Sequence, residues 1–149
     1  MMSVGITGLG SYLPETVVKN ADLEKFLDTS DEWITERTGI KERRIATSKE
    51  SLPIMMAIAA NRALKDANLS AKDISYIFVG TNSTDPIRVP AVAPRVQYLI
   101  GAENIPCWDL GNGCSGVIAA TEIAVRFIRD IGDNEKEEFE GRERPKRAK

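Results

Sequence analysis

The sequence contains no histidine among its 149 residues, and its only cysteines are Cys107 and Cys114. Two cysteines without a secretory leader are too few for a disulfide scaffold and fit a reducing compartment. The first residues carry no basic region and no cleavage pattern, so we expect no signal peptide and a cytoplasmic location. No apolar run approaches the ~20 residues of a membrane-spanning helix, so we expect no membrane partner.

The net charge is −2, so the chain has no strong excess of positive or negative charge. That balance argues against a nucleic-acid partner bound through phosphate neutralisation. The apolar share of 42% and the charged share of 28% are close to globular averages, and the length suffices for one domain with a core. We therefore expect one globular domain that binds neither nucleic acid nor membrane, with no metal site and no resident cofactor.

Short apolar segments alternate with amphipathic ones along most of the chain. We predict strands over 4–9, 74–80 and 105–110, an extended segment over 40–46, and helices over 21–27, 29–39, 51–68, 89–100 and 114–130. Asn20 is expected to cap the first of these helices, and Gly39 to end the second. The order predicts an α/β fold, with layered helices on a mixed, mostly parallel sheet in which strand 74–80 is buried on both faces.

Residues 111–116, Gly-Asn-Gly-Cys-Ser-Gly, follow a predicted strand and deliver Cys114 to the expected first turn of a helix. This is the edge of a parallel sheet where ligands bind, and residues 82–84 fall there too. Unpaired amide N–H groups and the positive end of the helix dipole favour thiolate over thiol, and the flanking glycines let a substrate carbonyl approach the backbone. The pattern predicts a cysteine nucleophile. The plainer alternative is a buried cysteine that packs as a small hydrophobe.

Cysteine nucleophiles commonly work with a histidine, so the lack of histidine leaves two readings open. Either the chemistry is unusual, or part of the catalytic machinery is missing from this chain. The chain changes character at Gly132, because residues 132–149 are mostly charged and cannot bury enough apolar surface to order themselves. We expect a domain over 1–131 and a disordered, charged tail over 132–149. Since an α/β chain normally continues with another strand here, we expect an incomplete fold, cut short or with a replaced end.

Residues 10–46, GSYLPETVVKNADLEKFLDTSDEWITERTGIKERRIA, resemble the N-terminal region of β-ketoacyl-acyl-carrier-protein synthase III, a thiolase-like condensing enzyme. The resemblance continues through ISYIFVGTNST and DLGNGCSG, and it covers about residues 3–130. The block TSDEW…RTGI…ER is specific to this branch, whereas cysteine-small-glycine also suits thiolases. The resemblance implies the N-terminal half of a thiolase-like fold. It also implies an acyltransferase that condenses acetyl-CoA, or another acyl-CoA, with malonyl-acyl-carrier protein through an acyl-cysteine, which initiates fatty acid synthesis.

The resemblance also implies roles for particular residues. Cys114 matches the nucleophile that accepts the acyl group, and Trp33 matches an aromatic residue that stacks on the adenine of coenzyme A. Arg37 matches a contact to the nucleotide or its phosphates, and Thr29 a neighbouring polar contact. Residues 86–89 correspond to a loop that shapes the acyl pocket across a dimer. Acyl-CoA is then a substrate rather than a cofactor, and the implied partners are acyl carrier protein and either a second copy or a complementary C-terminal half.

In the family a histidine and an asparagine from the C-terminal half stabilise the enolate formed on decarboxylation, and neither can be assigned in this sequence. We therefore expect that the isolated chain does not complete the condensation. Two other functions stay open: a degenerate binding or interaction module, and an inactive remnant of an interrupted synthase gene. Among smaller predictions, Cys107 belongs to the core and Asp109 is structural, while Arg43 and Arg44 are solvated or ion-paired.

Overall fold

A computed structural model describes residues 3–82 and 91–143 of the chain, with side chains described up to residue 131. The elements in chain order are β1 (Val17–Lys19), α1 (Asn20–Leu23), α2 (Asp31–Thr38), β2 (Glu42–Arg44), α3 (Leu52–Asp66), β3 (Ile77–Gly80), α4 (Val92–Ile100), β4 (Cys107–Leu110) and α5 (Gly116–Glu143). Single 3₁₀ turns lie at Ala71–Asp73 and Gly113–Ser115. Within the described residues, β1 pairs with β2 antiparallel and β3 pairs with β4 parallel. None of the described helices is long and apolar enough to cross a membrane.

The parallel pair β3–β4 packs against α4 with one of its faces. Successive side chains of a strand point to opposite faces, so Ile77, Val79 and Cys107 share this side. Buried Val79 forms the main apolar core with the buried face of α4, which consists of Val92, Ala93 and Val96. Burial of such side chains stabilises the fold by about 1.5–3 kcal/mol for each large aliphatic residue.

The opposite face of the same pair carries aromatic rings that α5 covers. Phe78 of β3 lies opposite Trp108 of β4, and their stacked ring centroids are 5.1 Å apart. Phe127 of α5 meets the Phe78 ring edge-on at 5.6 Å. With helices on both faces, β3 has the two-sided position that the sequence predicts, but only Val79 is fully buried, and the strand begins at Ile77 rather than at residue 74. This layering of helices on a parallel pair confirms the α/β class.

The strand predicted over 4–9 does not form. Ile6 and Leu9 are 78% and 73% exposed, and no described strand pairs with this segment. Glycines instead bring the segment against α3, since a Cβ at Gly8 would lie 2.8 Å from the Cβ of Ala67. The Leu9 N–H donates to Asp66 Oδ2 at 3.0 Å. An apolar run becomes a strand only where a neighbouring strand accepts its hydrogen bonds.

The helix ends follow local chemistry closely, with one exception at α1. Ser30 Oγ accepts the Trp33 N–H at 3.1 Å and caps α2, and Gly39 ends that helix with φ 71°, as predicted for Gly39. The prediction for Asn20 is wrong, because Asn20 lies inside α1 and Lys19 is the capping position. Its side chain is turned into the protein and is only 1% exposed, so it is not free to cap a helix. The helix is also shorter than predicted and ends at Leu23.

The last helix begins later and extends further than the pattern predicts. Cys114 lies in the 3₁₀ turn Gly113–Ser115, and α5 begins at Gly116 and continues to Glu143. A helical backbone over 132–143 does not by itself show packing, so the domain boundary at 131 and the disordered tail over 132–149 stay predictions. Residues 144–149 lie outside the described part of the chain.

Candidate active site

The turn that carries Cys114 is held by hydrogen bonds between its neighbours. Asn112 Nδ2 donates to Ser115 Oγ at 3.2 Å, and Ser115 Oγ donates to the Asn112 carbonyl at 2.8 Å. Gly113 has φ 55°, in the left-handed region that favours glycine. Cys114 is exposed, so the alternative of a buried, hydrophobe-like cysteine is wrong. Cys114 therefore lies at the surface, two residues before the start of α5.

A contact between two glycines fixes the start of α5 against the end of β3. A Cβ added at Gly80 would lie 2.6 Å from the Gly116 carbonyl carbon, and one added at Gly116 would lie 3.2 Å from the Gly80 Cα. Gly116 is buried, and the Thr81 N–H donates to the Leu110 carbonyl at 3.2 Å beside it. Only residues without a side chain allow this approach, so the glycines set the position from which the Cys114 turn projects.

Asp109 joins β4 to the N-terminus of α4. Its Oδ2 accepts the Val92 N–H and its Oδ1 accepts the Ala93 N–H, each at 2.7 Å. A carboxylate here satisfies two amide donors that a helix leaves unpaired and complements the helix dipole. The contacts confirm a structural role for Asp109, although the element that it orients is α4 rather than the turn of Cys114. They also explain why α4 begins at Val92.

Cys107 occupies the core side of β4, as the sequence predicts. It packs against the core around Val79, and its Sγ donates to Gln97 Oε1 at 3.3 Å. Burial raises the pKa of the Cys107 thiol, and the nearby Asp109 carboxylate raises it further. A half-buried thiol of raised pKa holds little thiolate near neutral pH, so Cys107 is poorly suited to nucleophilic chemistry.

We expect iodoacetamide to alkylate Cys114 selectively at near-neutral pH. The exposed Cys114 thiol should react faster than a free cysteine, and on the order of tenfold or more faster than Cys107, whose thiol is half-buried. Peptide mapping by mass spectrometry over a time course measures both rates in one sample, so Cys107 serves as the internal control. Equal labelling of the two cysteines, or a Cys114 rate no higher than that of free cysteine, would contradict this prediction.

Trp33 and Arg37 form one face of α2. The Arg37 guanidinium carbon lies 4.5 Å from the centroid of the Trp33 ring, and the indole is 51% exposed. Residues one turn apart on a helix are neighbours, and a guanidinium over an indole is a cation–π contact. Thr29 is half-buried just before α2, where its N–H donates to the Leu27 carbonyl at 3.0 Å. The structure therefore brings Trp33 and Arg37 into contact, with Thr29 beside the start of their helix.

The predicted site residues fall into two groups on separate elements. Trp33 and Arg37 lie on α2, which packs against α1, whereas the turn of Cys114 packs against α5. The predicted acyl-pocket loop at residues 86–89 lies outside the described residues. In the part of the chain that the structure covers, no cluster of acidic or cysteine side chains has the arrangement of a metal site.

Arg44 is exposed, as predicted for a solvated side chain, whereas Arg43 is half-buried and differs from that prediction. Arg43 Nη2 donates to Asn20 Oδ1 at 2.7 Å, and its Nη1 donates to the Val18 carbonyl at 3.3 Å. Arg44 Nη1 donates to the Pro14 carbonyl at 3.1 Å. Both guanidinium groups thus bind uncharged oxygens of the N-terminal part of the chain. A guanidinium has several N–H donors, so it can connect segments that are distant in sequence.

The fold of this chain has a counterpart among solved structures. The crystal structure of 3-oxoacyl-acyl-carrier-protein synthase III from Aquifex aeolicus VF5 superposes with a TM-score of 0.80 at 47% identity, over 84% of this chain and 40% of that one. The fold is therefore that of the N-terminal part of a thiolase-like condensing enzyme.

The sequence comparisons agree with the fold. The family model described as hydroxymethylglutaryl-coenzyme A synthase N terminal matches residues 1–142, and the chain belongs to this family. The β-ketoacyl-acyl-carrier-protein synthase III of Caldanaerobacter subterraneus subsp. tengcongensis is 48% identical over 127 residues, or 85% of this chain and 38% of that protein. The synthase III of Clostridium acetobutylicum is 49% identical over 129 residues, or 87% and 39%.

The resemblance to synthase III that the sequence motifs indicate is thus confirmed, and it concerns the N-terminal part of that enzyme. The chain spans about two fifths of the length of the curated relatives that it matches.

Proposed function

We propose that this chain carries the nucleophile and the acyl-CoA-binding surface of an acyltransferase of the β-ketoacyl-acyl-carrier-protein synthase III type. The observation that supports this most directly is the exposed Cys114 in a glycine-flanked turn at the start of α5. The substrate is an acyl-CoA thioester, acetyl-CoA or a longer acyl-CoA, and no resident cofactor takes part. The unpaired cysteines fit the reducing cytoplasm as the compartment.

The proposed chemical step is transfer of the acyl group to Cys114. The sulfur attacks the thioester carbonyl carbon and forms a new C–S bond, while the bond from that carbon to the coenzyme A sulfur breaks. Coenzyme A leaves as a thiolate and takes up the proton that Cys114 has lost. Backbone N–H groups at the start of α5 are suited to stabilise the negative charge on the carbonyl oxygen during this step.

In this proposal, α2 binds the nucleotide end of coenzyme A. The half-exposed indole of Trp33 offers the ring face opposite Arg37 for the adenine, and the Arg37 guanidinium, which lies over the other face, is suited to phosphate oxygens. Thr29, just before the helix, supplies a polar contact. Coenzyme A carries its nucleotide and its thiol at opposite ends, so a ligand of this kind is compatible with two groups of residues on separate elements.

The condensation that follows acyl transfer requires more than these residues supply. Stabilisation of the enolate by a histidine and an asparagine is implied by the resemblance, and the chain contains no histidine. Loss of one such donor commonly slows a reaction by about 10²–10³. We therefore propose that the 149-residue polypeptide accepts an acyl group but does not by itself condense it with malonyl-acyl-carrier protein. A complementary chain that carries the histidine and the asparagine is the proposed partner for condensation, whereas a second copy, which also lacks histidine, is a proposed partner for dimer formation only.

We expect Trp33→Ala and Arg37→Ala each to weaken coenzyme A binding by about tenfold, through loss of base stacking and of a charge-assisted hydrogen bond respectively. Isothermal titration measures the affinities. Tyr98→Ala removes an 84% exposed aromatic ring from α4, and Arg126→Ala removes an exposed guanidinium from α5, so these variants are matched controls with unchanged affinity. Controls that lose affinity equally would contradict the assignment to α2.

Incubation with acetyl-CoA tests the proposal as a whole. Intact-mass measurement followed by peptide mapping should find one acetyl group, bound to Cys114. If no acyl group is transferred but the chain associates stably with a full-length synthase or with acyl carrier protein, the alternative of a binding module is supported instead. If neither occurs, the chain behaves as an inactive remnant.

A further inference from the structure

The helix that carries Trp33 and Arg37 has no buried residue of its own. Apolar packing, which positions most helices of globular proteins, therefore does little to fix α2. Its capping Ser30 stabilises the helix itself but does not attach it to the rest of the fold. The position of α2 must depend on polar contacts with neighbouring segments.

One side chain supplies contacts of this kind at both ends of α2. Asn20 Nδ2 donates to Asp31 Oδ1 at 2.7 Å, at the first residue of the helix. The same nitrogen donates to the Ile40 carbonyl at 2.8 Å, just beyond the last residue of the helix. A longer contact of 3.3 Å reaches Thr35 Oγ1 in the middle. A single amide thus fastens the start and the end of α2 to the same point.

That amide is itself held in place from the strand side. Arg43 Nη2, on β2, donates to Asn20 Oδ1 at 2.7 Å. Among the residues that the structure describes, Asn20 is the polar residue with almost no exposure, at 1%. Hydrogen bonds from a buried amide are specific in direction, and their loss leaves the remaining partners unsatisfied. The network therefore sets where α2 lies relative to β2 and α1.

We propose that Asn20 is a positioning residue for the nucleotide-binding face formed by Trp33 and Arg37. This inference rests on the proposed function, because it takes α2 to bind the nucleotide of acyl-CoA. The indole and the guanidinium contact each other along one helix, so their mutual geometry survives a shift of α2. A shift of α2 would, however, change the position of both side chains relative to Thr29 and to the residues that bind the rest of the ligand. Removal of the amide therefore weakens nucleotide binding without touching the nucleotide.

The test measures two quantities, and a residue that only stabilised the fold would affect both of them. The first is the affinity for coenzyme A, measured by isothermal titration. The second is the rate at which iodoacetamide alkylates Cys114, which lies on a different element. We expect Asn20→Ala to weaken coenzyme A binding by about tenfold, the loss typical of one buried hydrogen bond, and to leave the Cys114 rate unchanged. Asn61→Ala, at an exposed asparagine of α3, is the matched control and should change neither.

A second pair of variants keeps the test decisive if Asn20→Ala does not fold. Asp31 is exposed, so its replacement threatens the fold less. Asp31→Ala removes the acceptor for the Asn20 amide and should weaken binding several-fold. Asp31→Asn removes the same charge but keeps an amide oxygen that can accept the hydrogen bond, so it should bind coenzyme A as the unmodified chain does.

The outcomes separate this inference from the proposed function. If the unmodified chain does not bind coenzyme A, the proposed nucleotide site itself is wrong. If it binds and a folded Asn20→Ala chain binds equally well, the positioning role is overturned. The same holds if coenzyme A affinity and the Cys114 rate fall together, or if Asp31→Ala and Asp31→Asn behave alike. Far-UV circular dichroism and thermal unfolding establish which variants are folded.

Discussion

Replacement of Cys114 by serine is expected to abolish acylation of this chain by acetyl-CoA, with a loss of at least about 1,000-fold in rate. A serine hydroxyl is a weak nucleophile unless a neighbouring base removes its proton, and the chain has no histidine to act as that base. The exposed turn accepts the substitution readily, since serine and cysteine are nearly the same size. Intact-mass measurement over a time course with acetyl-CoA gives the rate.

Cys107→Ser is the matched control for this prediction, because it removes the other thiol of the chain. Cys107 faces the core and donates to Gln97, so its loss should leave acylation intact. Coenzyme A binding by Cys114→Ser should also be unchanged, since Trp33 and Arg37 lie on a different helix. An acetyl group found on Cys107, or on any residue of the Cys114→Ser chain at the original rate, would show that Cys114 is not the acceptor.

The features that could be predicted from the sequence are those decided by nearby residues. Ser30 caps α2 through an amide three positions away, and Gly39 ends it through its own backbone angle. The contact between Trp33 and Arg37 also follows from helical spacing. The position of Cys114 just before α5 follows from the glycine-rich segment that precedes the helix. Each of these depends on a pattern within a single turn of the chain.

The features that could not be predicted depend on partners far along the chain. Asn20 reads locally as a helix cap, yet its amide is used by Asp31 and Ile40. Asp109 reads as part of a strand end, yet it caps α4 through residues 16 and 17 positions earlier in the chain. Residues 4–9 have the apolar character of a strand, but no strand among the described residues pairs with them. In each case a tertiary contact overrides the local preference, and no local signal in the sequence reports it.

The glycine contact between β3 and α5 leads to the second large prediction, which concerns Gly80→Val. Valine is a residue that strands favour, so propensity alone would predict stabilisation at the end of β3. The structure predicts the opposite, because the new Cβ would lie 2.6 Å from the carbonyl carbon of Gly116 and α5 would have to move. We expect the free energy of unfolding to fall by about 1–3 kcal/mol, as for overpacked cores. Urea unfolding followed by circular dichroism measures it.

The same clash should reach the candidate nucleophile, because Gly116 begins α5 directly after the turn of Cys114. Gly80→Ala, which adds a Cβ but no γ-carbons, should keep enough stability for its acylation and alkylation rates at Cys114 to be measured, and both should be altered. Gly5→Val is the matched control, since a Cβ there meets nothing within 4 Å. If Gly80→Val and Gly5→Val prove equally stable and equally reactive at Cys114, the contact between Gly80 and Gly116 does not position the nucleophile. Gly80 and Gly116 belong to different elements. If the reaction rates at Cys114 change in Gly80→Val and Gly80→Ala but not in Gly5→Val, the geometry of the turn depends on the packing of α5 against β3 and not only on the sequence around Cys114.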